Sequence, residues 1–146
     1  MKAVVQRVSR ARVTVGEGVA GEIGAGLCVL LGVARSDDSG MADRLAAKVA
    51  QLRIFENDEG RFDRSLLDVH GEALVVSQFT LIADTAKGNR PDFSGAAPRE
   101  QAEPLYEAFC EALQRDWGVD VEKGIFGAYM ALELVNDGPV TIVFET

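Results

Sequence analysis

The chain has 146 residues, of which 47% are hydrophobic and 26% charged, and its formal net charge is −8. This composition predicts one globular domain over residues 1–146 and excludes a largely disordered chain. With 15 basic against 23 acidic residues, the chain is not a broad basic-surface binder of nucleic acid, but the balance is compatible with a local patch that touches one short nucleic-acid end.

The first third of the chain predicts strands. β-Branched residues are frequent in 2–8 and 12–15, and the Gly-Glu-Gly sequence at 16–18 is typical of a tight turn. The continuous apolar run at 27–33 favours a strand that is covered on both faces.

The middle of the chain carries helix, turn and strand signals in succession. Polar residues at 36–39 are candidate helix N-caps, and the apolar spacing after them predicts a helix over about 38–53. The Asn-Asp-Glu-Gly sequence at 57–60 is typical of a hairpin turn. Residues 73–81 predict a buried strand that ends in polar groups. The loop 82–97 that follows shows no hydrophobic periodicity. A loop of this length in a compact domain more often has a function than not.

The last third predicts a second helix and two closing strands. Residues 105–117 place apolar side chains on one helical face, and Pro104 either restarts or kinks this helix. Strands over roughly 126–135 and 139–145 then flank Asn-Asp-Gly at 136–138, a strong hairpin signal. The order of elements favours an α+β fold in which a curled, barrel-like, mostly antiparallel sheet is covered by two helices.

Few side chains suit metal binding or side-chain catalysis. His70 is the only histidine and lies in an Asp-Val-His-Gly sequence typical of an exposed turn, so Ser-His-Asp and Cys-His arrangements have little support. Cys28 and Cys110 lie far apart in sequence and on apolar faces, so we expect both to pack in the core. Their spacing indicates neither a disulfide framework nor a zinc site. We expect neither a metal nor another cofactor.

The sequence also contains no apolar run long enough to cross a bilayer. Its first residues lack the apolar core and the cleavage site of a signal peptide. We therefore expect a cytoplasmic protein that does not interact with a membrane.

Three segments each permit two interpretations from their residues alone. On a strand, residues 77–81 would alternate between two faces, and Ser77 and Thr80 would either line a pocket or be ordinary strand residues. The segment 136–141 is either a simple turn or part of a site. The Lys-Gly-Asn-Arg sequence at 87–90 is either a solvated loop or a local grip for a phosphate.

Two motifs, taken together, resemble those of the D-aminoacyl-tRNA deacylases, a family of chiral proofreading enzymes found in bacteria and eukaryotes. They are Ser-Gln-Phe-Thr-Leu at 77–81 and Asn-x-Gly-Pro-x-Thr at 136–141. Either motif alone is weak, whereas both at this separation in a chain of this length are specific. The similarity runs along the whole chain and includes the segments 3–8, 21–24, 26–27, 53–55, 87–91 and 126–130.

The resemblance implies a homodimer with active sites at the subunit interface and the aminoacylated 3′ end of tRNA as substrate. It implies a cis bond between Gly138 and Pro139, whose carbonyls enter the pocket of the partner subunit and face the substrate's α-carbon. An L side chain would collide there and a D side chain would not. Glycine has no side chain to reject, so glycyl-tRNA, including tRNA-Ala mischarged with glycine, should also be hydrolysed.

The resemblance further implies roles for individual residues. Backbone N–H groups near Phe79 and Thr80 would stabilise the oxyanion, and the ribose 2′-hydroxyl of the tRNA would assist the hydrolysis. Ser77 and Gln78 would shape the catalytic pocket. Two further groups are implied: those that bind the terminal adenosine, Phe126, Gly127, Met130 and Thr141, and those that support the Gly-Pro segment, Arg7 and Asn136.

Two alternative functions compete with this interpretation. The first is an esterase that acts through a Thr80 nucleophile on smaller D-amino-acid esters, although no base that would activate the hydroxyl is evident. The second is a catalytically idle relative that binds tRNA ends or acts as a dimeric interaction module. Substitution of Thr80 tests the first alternative, and substitution of Gly138 tests the second.

Overall fold

A strongly curled sheet of six strands organises the molecule. The computed structural model describes residues 1–146. The strands of the main sheet are β1 (Lys2–Val15), β2 (Gly18–Ile23), β3 (Gly26–Gly32), β6 (Glu72–Ser77), β7 (Asp120–Lys123) and β8 (Ala131–Glu145), and a separate small hairpin consists of β4 (Phe55–Glu56) and β5 (Phe62–Arg64). The helices are α1 (Ser39–Gln51) and α2 (Arg99–Trp117), and a single 3₁₀ turn spans Phe79–Ile82.

The long strand β1 is the centre of the sheet. Along one edge it pairs antiparallel with β8, and along the other with β3 and then β2, also antiparallel. β6 continues the sheet parallel to β3, and β7 lies parallel to β6. The parallel pairs place the ends of β3 and β6, at Gly32 and Ser77, beside each other at one edge of the molecule.

The sheet curls until β2 approaches β6 and β7. Gly21 makes this approach possible, because a Cβ atom at this position would lie only 2.8 Å from the Lys123 carbonyl oxygen. The curl encloses a small core of side chains from β1, β2, β3 and β6, which includes Val8, Val13 and Leu74.

Two helices cover the other face of the sheet and bury the larger core. α1 begins after Asp38, whose side chain accepts a hydrogen bond from the Met41 amide at 2.9 Å, as expected of an N-cap. α2 contains Pro104 and ends at Gly118 in the left-handed conformation. Neither helix is long and apolar enough to span a membrane. The predicted fold class is confirmed: a barrel-like sheet, antiparallel in most of its pairings, carries two helices.

The prediction for residues 73–81 is wrong in its second half. β6 ends at Ser77, and Phe79–Ile82 turn back in a 3₁₀ helix, so the predicted alternation of 77–81 between two faces does not occur. Gly32 permits the turn, because its missing Cβ would lie 2.9 Å from the Gln78 carbonyl oxygen and 3.0 Å from the Leu81 Cβ atom. The β propensity of Phe and Thr is overridden by this packing.

Two further boundaries differ from the predictions. Residues 2–15 form one continuous strand, where two segments were predicted. No hairpin forms at 136–138, because residues 131–145 belong to a single strand that pairs with β1 on both sides of that segment. Pairing with a long, distant strand decides this geometry, and the local Asp-Gly turn signal does not reveal it.

Candidate active site

A cavity of about 300 Å³ opens at the end of β3 and β6, and 12 of its 15 lining residues are hydrophobic. Its floor comes from β3, β6 and Tyr106 of α2, and its outer wall from the irregular segment 126–130. The lining includes six residues predicted for the site: Ser77, Gln78, Phe79, Phe126, Gly127 and Met130. The structure therefore brings one motif and the predicted adenosine-binding segment together around one cavity.

The 3₁₀ turn that begins at this cavity leaves two adjacent backbone donors unpaired. The Phe79 and Thr80 amides donate no hydrogen bond within the protein, whereas the neighbouring Gln78 and Leu81 amides bond to Leu31 and Gln78 carbonyl oxygens. The first N–H groups of a helical turn lack internal partners for geometric reasons. Adjacent free N–H groups beside an apolar cavity are suited to hold a negatively charged oxygen.

The Thr80 hydroxyl has no base beside it. Its only hydrogen-bond partner is the side-chain amide of Gln78, whose Nε2 donates to the hydroxyl oxygen and cannot remove a proton. His70 lies exposed in the turn before β6, as predicted, whereas Thr80 follows the other end of that strand. Six strand residues separate the two by roughly 20 Å. The side chains of this chain therefore supply no activated nucleophile at the cavity.

The two thiols are also unsuited to nucleophilic attack. Cys28 and Cys110 are buried, as predicted, and neither lines the cavity. Burial raises the pKa of the Cys28 thiol to about 11 and is the largest cause of the rise to about 12 for Cys110. Both thiols are therefore protonated at neutral pH, and the thiolate needed for attack is nearly absent.

The second motif lies outside the cavity, in a bulge of β8. On β1 only Arg7 separates Gln6 from Val8, but their partners on β8 are Thr141 and Asn136, so residues 137–140 face a single residue and are extruded from the strand. Asp137, Gly138 and Pro139 are exposed, and the Gly138–Pro139 bond is cis. Neither Gly138 nor Pro139 lines the cavity of its own chain.

Arg7 anchors this bulge to the body of the protein. Its side chain is buried and donates to the Asp137 carbonyl oxygen at 3.0 Å and to the Ile54 carbonyl oxygen at 2.7 Å. The carboxylates of Glu56 and Asp137 lie 3.6 and 3.8 Å from its guanidinium nitrogens. A planar fork with several donors holds such acceptors in fixed directions, which a flexible ammonium does not.

Asn136 and Thr141 close the base of the bulge. The Asn136 side chain accepts from the Val140 amide at 3.0 Å and donates to the Thr141 hydroxyl at 3.1 Å, to which Gln6 also donates. The resemblance groups Thr141 with the residues that bind the terminal adenosine. The structure places it elsewhere, beside β1. The other three members of that group, Phe126, Gly127 and Met130, line the cavity, and Thr141 does not. The Asn and Thr of the motif thus shape the bulge.

The loop 82–97 packs against the site through aromatic rings. Phe93 contacts Phe79 edge to face, with ring centroids 5.1 Å apart. The amides and carbonyls of Asp84 and Asp92 pair with each other, and Lys87 and Arg90 between them are exposed and make no ion pair.

Sequence patterns missed Tyr106 as a site residue. It lies in the apolar face of α2, yet its hydroxyl donates to the Val75 carbonyl oxygen at 2.7 Å and its ring borders the cavity beside Phe126. Burial is the main cause that raises the pKa of this phenol, so it stays neutral. The helical spacing of apolar residues predicts that Tyr106 is buried, but it does not predict that Tyr106 borders a cavity.

Comparisons with known proteins show the family of the chain. The family model described as D-Tyr-tRNA(Tyr) deacylase matches residues 4–145. A D-aminoacyl-tRNA deacylase of Roseiflexus sp. is 60% identical over 100% of this chain and 94% of its own length. That of Deinococcus radiodurans is 55% identical over 99% of both chains.

Solved structures share the fold. The structure of a protein named c-Myc DNA Unwinding Element Binding Protein has a TM-score of 0.92 and 47% identity, covering 100% of this chain and 99% of its own. The structure of a probable eukaryotic D-amino acid tRNA deacylase has a TM-score of 0.82, covering 98% and 97%. Its identity of 18% supports the fold alone.

The family match defines an ester hydrolase that acts on aminoacylated tRNA. The chain belongs to the D-aminoacyl-tRNA deacylase family. Its reaction is the hydrolysis of the ester between a D-amino acid and tRNA, and the predicted membership of this family is thereby confirmed.

Proposed function

We propose that the enzyme is a cytoplasmic homodimer in which each active site combines the cavity of one subunit with the Gly138–Pro139 bulge of the other. The observation that carries this proposal is the separation of the two motifs: the bulge is exposed and extruded, yet it lies outside the cavity of its own chain. In a symmetric dimer one contact surface is used twice, so two bulges would enter two cavities.

Chirality is then selected by rejection. The carbonyls of the partner's bulge would face the α-carbon of the bound aminoacyl group, on the side where an L side chain projects. Collision excludes the L substrate, and the D side chain points into free space. Glycyl-tRNA, including glycine mischarged on tRNA-Ala, carries no side chain on either side and would pass the same filter.

The reaction in this site needs little from side chains. The Phe79 and Thr80 amides are free and adjacent, and they would stabilise the charge that develops on the ester carbonyl oxygen. Water adds to the carbonyl carbon, assisted by the ribose 2′-hydroxyl, and the bond to the ribose 3′ oxygen breaks. The products are the free D-amino acid and a tRNA with a free 3′-hydroxyl. Ser77 and Gln78 would shape the wall around the ester.

The terminal adenosine would lie against the outer wall of the cavity. Phe126 and Met130 offer an aromatic ring and a thioether to a base, and Gly127 lies between them on the same wall. The cavity is small and mainly apolar, as suits one nucleoside with its aminoacyl group.

Binding to a DNA element, the property for which one structural relative is named, is a second candidate with less support. A net charge of −8 opposes contact with an extended phosphate backbone. The cavity suits a single nucleic-acid end better.

Substitution of Thr80 distinguishes backbone-assisted catalysis from a threonine nucleophile. We expect Thr80→Ala to lower kcat for D-Tyr-tRNA by less than about tenfold, because the amides remain in place. Single-turnover deacylation of labelled D-Tyr-tRNA measures the change. A loss of about 10³-fold or more, largely restored in Thr80→Ser, would instead establish the hydroxyl as the nucleophile.

Paired deacylation of D-Tyr-tRNA and L-Tyr-tRNA tests the proposed selection. At sub-stoichiometric enzyme we expect rapid loss of the D ester, with the L ester decaying at its uncatalysed rate. Similar loss of both esters would contradict steric rejection and indicate an unselective esterase. Binding of tRNA without cleavage of either ester would support the idle-module alternative.

A further inference from the structure

We propose that Arg99 binds the phosphate that links the substrate's terminal adenosine to the preceding nucleotide. This inference rests on the proposed function, in which Phe126 and Gly127 hold that adenosine. It adds a residue that lies in neither sequence motif and was not singled out from the sequence.

Arg99 stands at the outer wall of the cavity. Its guanidinium carbon lies 5.6 Å from the centroid of the Phe126 ring, in a cation–π arrangement. A Cβ atom on Gly127 would lie 3.2 Å from one of its terminal nitrogens. Phe126 and Gly127 both line the cavity, so the guanidinium lies directly behind the residues that would contact the base.

The Arg99 guanidinium also has N–H donors without an acceptor in the protein. Its Nε donates to Glu103 at 2.9 Å, whereas its two terminal nitrogens make no hydrogen bond within the protein. The side chain is 64% exposed, so those nitrogens are open to an incoming group. Two parallel N–H donors match two phosphate oxygens, which is the geometry in which arginine binds phosphate best.

Helix stability does not explain an arginine at this position. Arg99 is the first residue of α2, where the helix dipole disfavours a cation. Its partner Glu103 follows by four residues, which is the less favourable order for such a pair. A cation beside the cavity does have a purpose in a protein of charge −8, because the overall field repels the tRNA that must enter.

The test compares substrates with and without the phosphate. In Arg99→Gln we expect the KM for D-Tyr-tRNA to rise about tenfold with kcat nearly unchanged, and no change for 3′-D-tyrosyl-adenosine, which lacks the phosphate. The slope of log affinity for tRNA against log salt should fall by about one. The control Arg115→Gln removes the same charge from the far end of α2, about 24 Å away, and should change neither substrate.

A binding comparison gives the same information without turnover. Cytidylyl-adenosine should bind the wild-type enzyme more tightly than adenosine does in an equilibrium binding measurement, and Arg99→Gln should abolish that difference. If Arg99→Gln weakened the use of D-Tyr-tRNA and of 3′-D-tyrosyl-adenosine equally, Arg99 would only support the Phe126 ring. If it weakened the use of neither substrate, Arg99 would not belong to the site. Either outcome overturns the inference. Failure of the wild-type enzyme to cleave D-Tyr-tRNA would instead contradict the proposed function.

Discussion

Gly138→Ala should reduce kcat/KM for D-Tyr-tRNA by about 10²-fold while the protein remains folded. Gly138 has φ +134°, which side chains disfavour, and an added Cβ would lie 2.7 Å from a Val140 methyl and 3.1 Å from an Arg7 nitrogen. The bulge must therefore move, and displacement of a positioning group by about 1 Å costs a reaction of this kind about 10²-fold. Single-turnover deacylation with D and L substrates measures both activity and selectivity.

Gly60→Ala is the matched control for this substitution. Gly60 also has positive φ, +76°, but its added Cβ would meet nothing within 4 Å, and the residue lies in the turn between β4 and β5. We expect a small loss of thermal stability and unchanged deacylation. Equal activity in Gly138→Ala and Gly60→Ala would show that the position of the bulge does not matter to the reaction.

Arg7→Leu should lower both stability and activity. The substitution leaves the Ile54 and Asp137 carbonyl oxygens without their donor, and the loss of a buried partner of this kind costs about 2 to 3 kcal/mol. The freed bulge should then lose its orientation, so we expect deacylation of D-Tyr-tRNA to fall by about 10²-fold at a temperature where the variant is still folded. Thermal unfolding and single-turnover kinetics measure the two effects separately.

Arg12→Leu provides the comparison on the same strand. Arg12 forms an ion pair with Glu133 at 3.1 Å, but the two side chains are 43% and 62% exposed, and exposed pairs contribute about 0 to 1 kcal/mol. We expect little change in unfolding temperature and none in activity. If Arg7→Leu lost stability but deacylated at the wild-type rate, the anchoring contacts would have no role in the site.

The sequence predicts the fold correctly where local patterns and tertiary packing favour the same element. The helix predicted for 38–53 is present as Ser39–Gln51, with Asp38 as its N-cap, because apolar spacing and capping residue indicate the same element. The hairpin predicted at 57–60 is present between β4 and β5 for the same reason. The curled sheet followed from the order of these elements.

The predictions failed where distant residues determine the local conformation. The turn at Phe79–Ile82 depends on the space above Gly32, and the bulge at 137–140 depends on pairing with β1 more than 120 residues earlier in sequence. The turn borders the cavity and the bulge belongs to the proposed shared site, and functional sites are where a sequence is expected to depart from its local propensities. Arg99 has no local signal at all, because its contact with Phe126 joins the start of α2 to a loop beyond β7.

Complementation between two defective subunits tests the shared active site most directly. One subunit carries Gly138→Ala in the bulge, and the other carries Ala128→Trp, which fills the cavity that Ala128 lines. Each homodimer should be nearly inactive. In a heterodimer purified through two different tags, one site combines an intact cavity with an intact bulge, so we expect about half of the wild-type D-Tyr-tRNA deacylation per dimer. An inactive heterodimer would show that cavity and bulge must belong to the same chain, and would contradict the account.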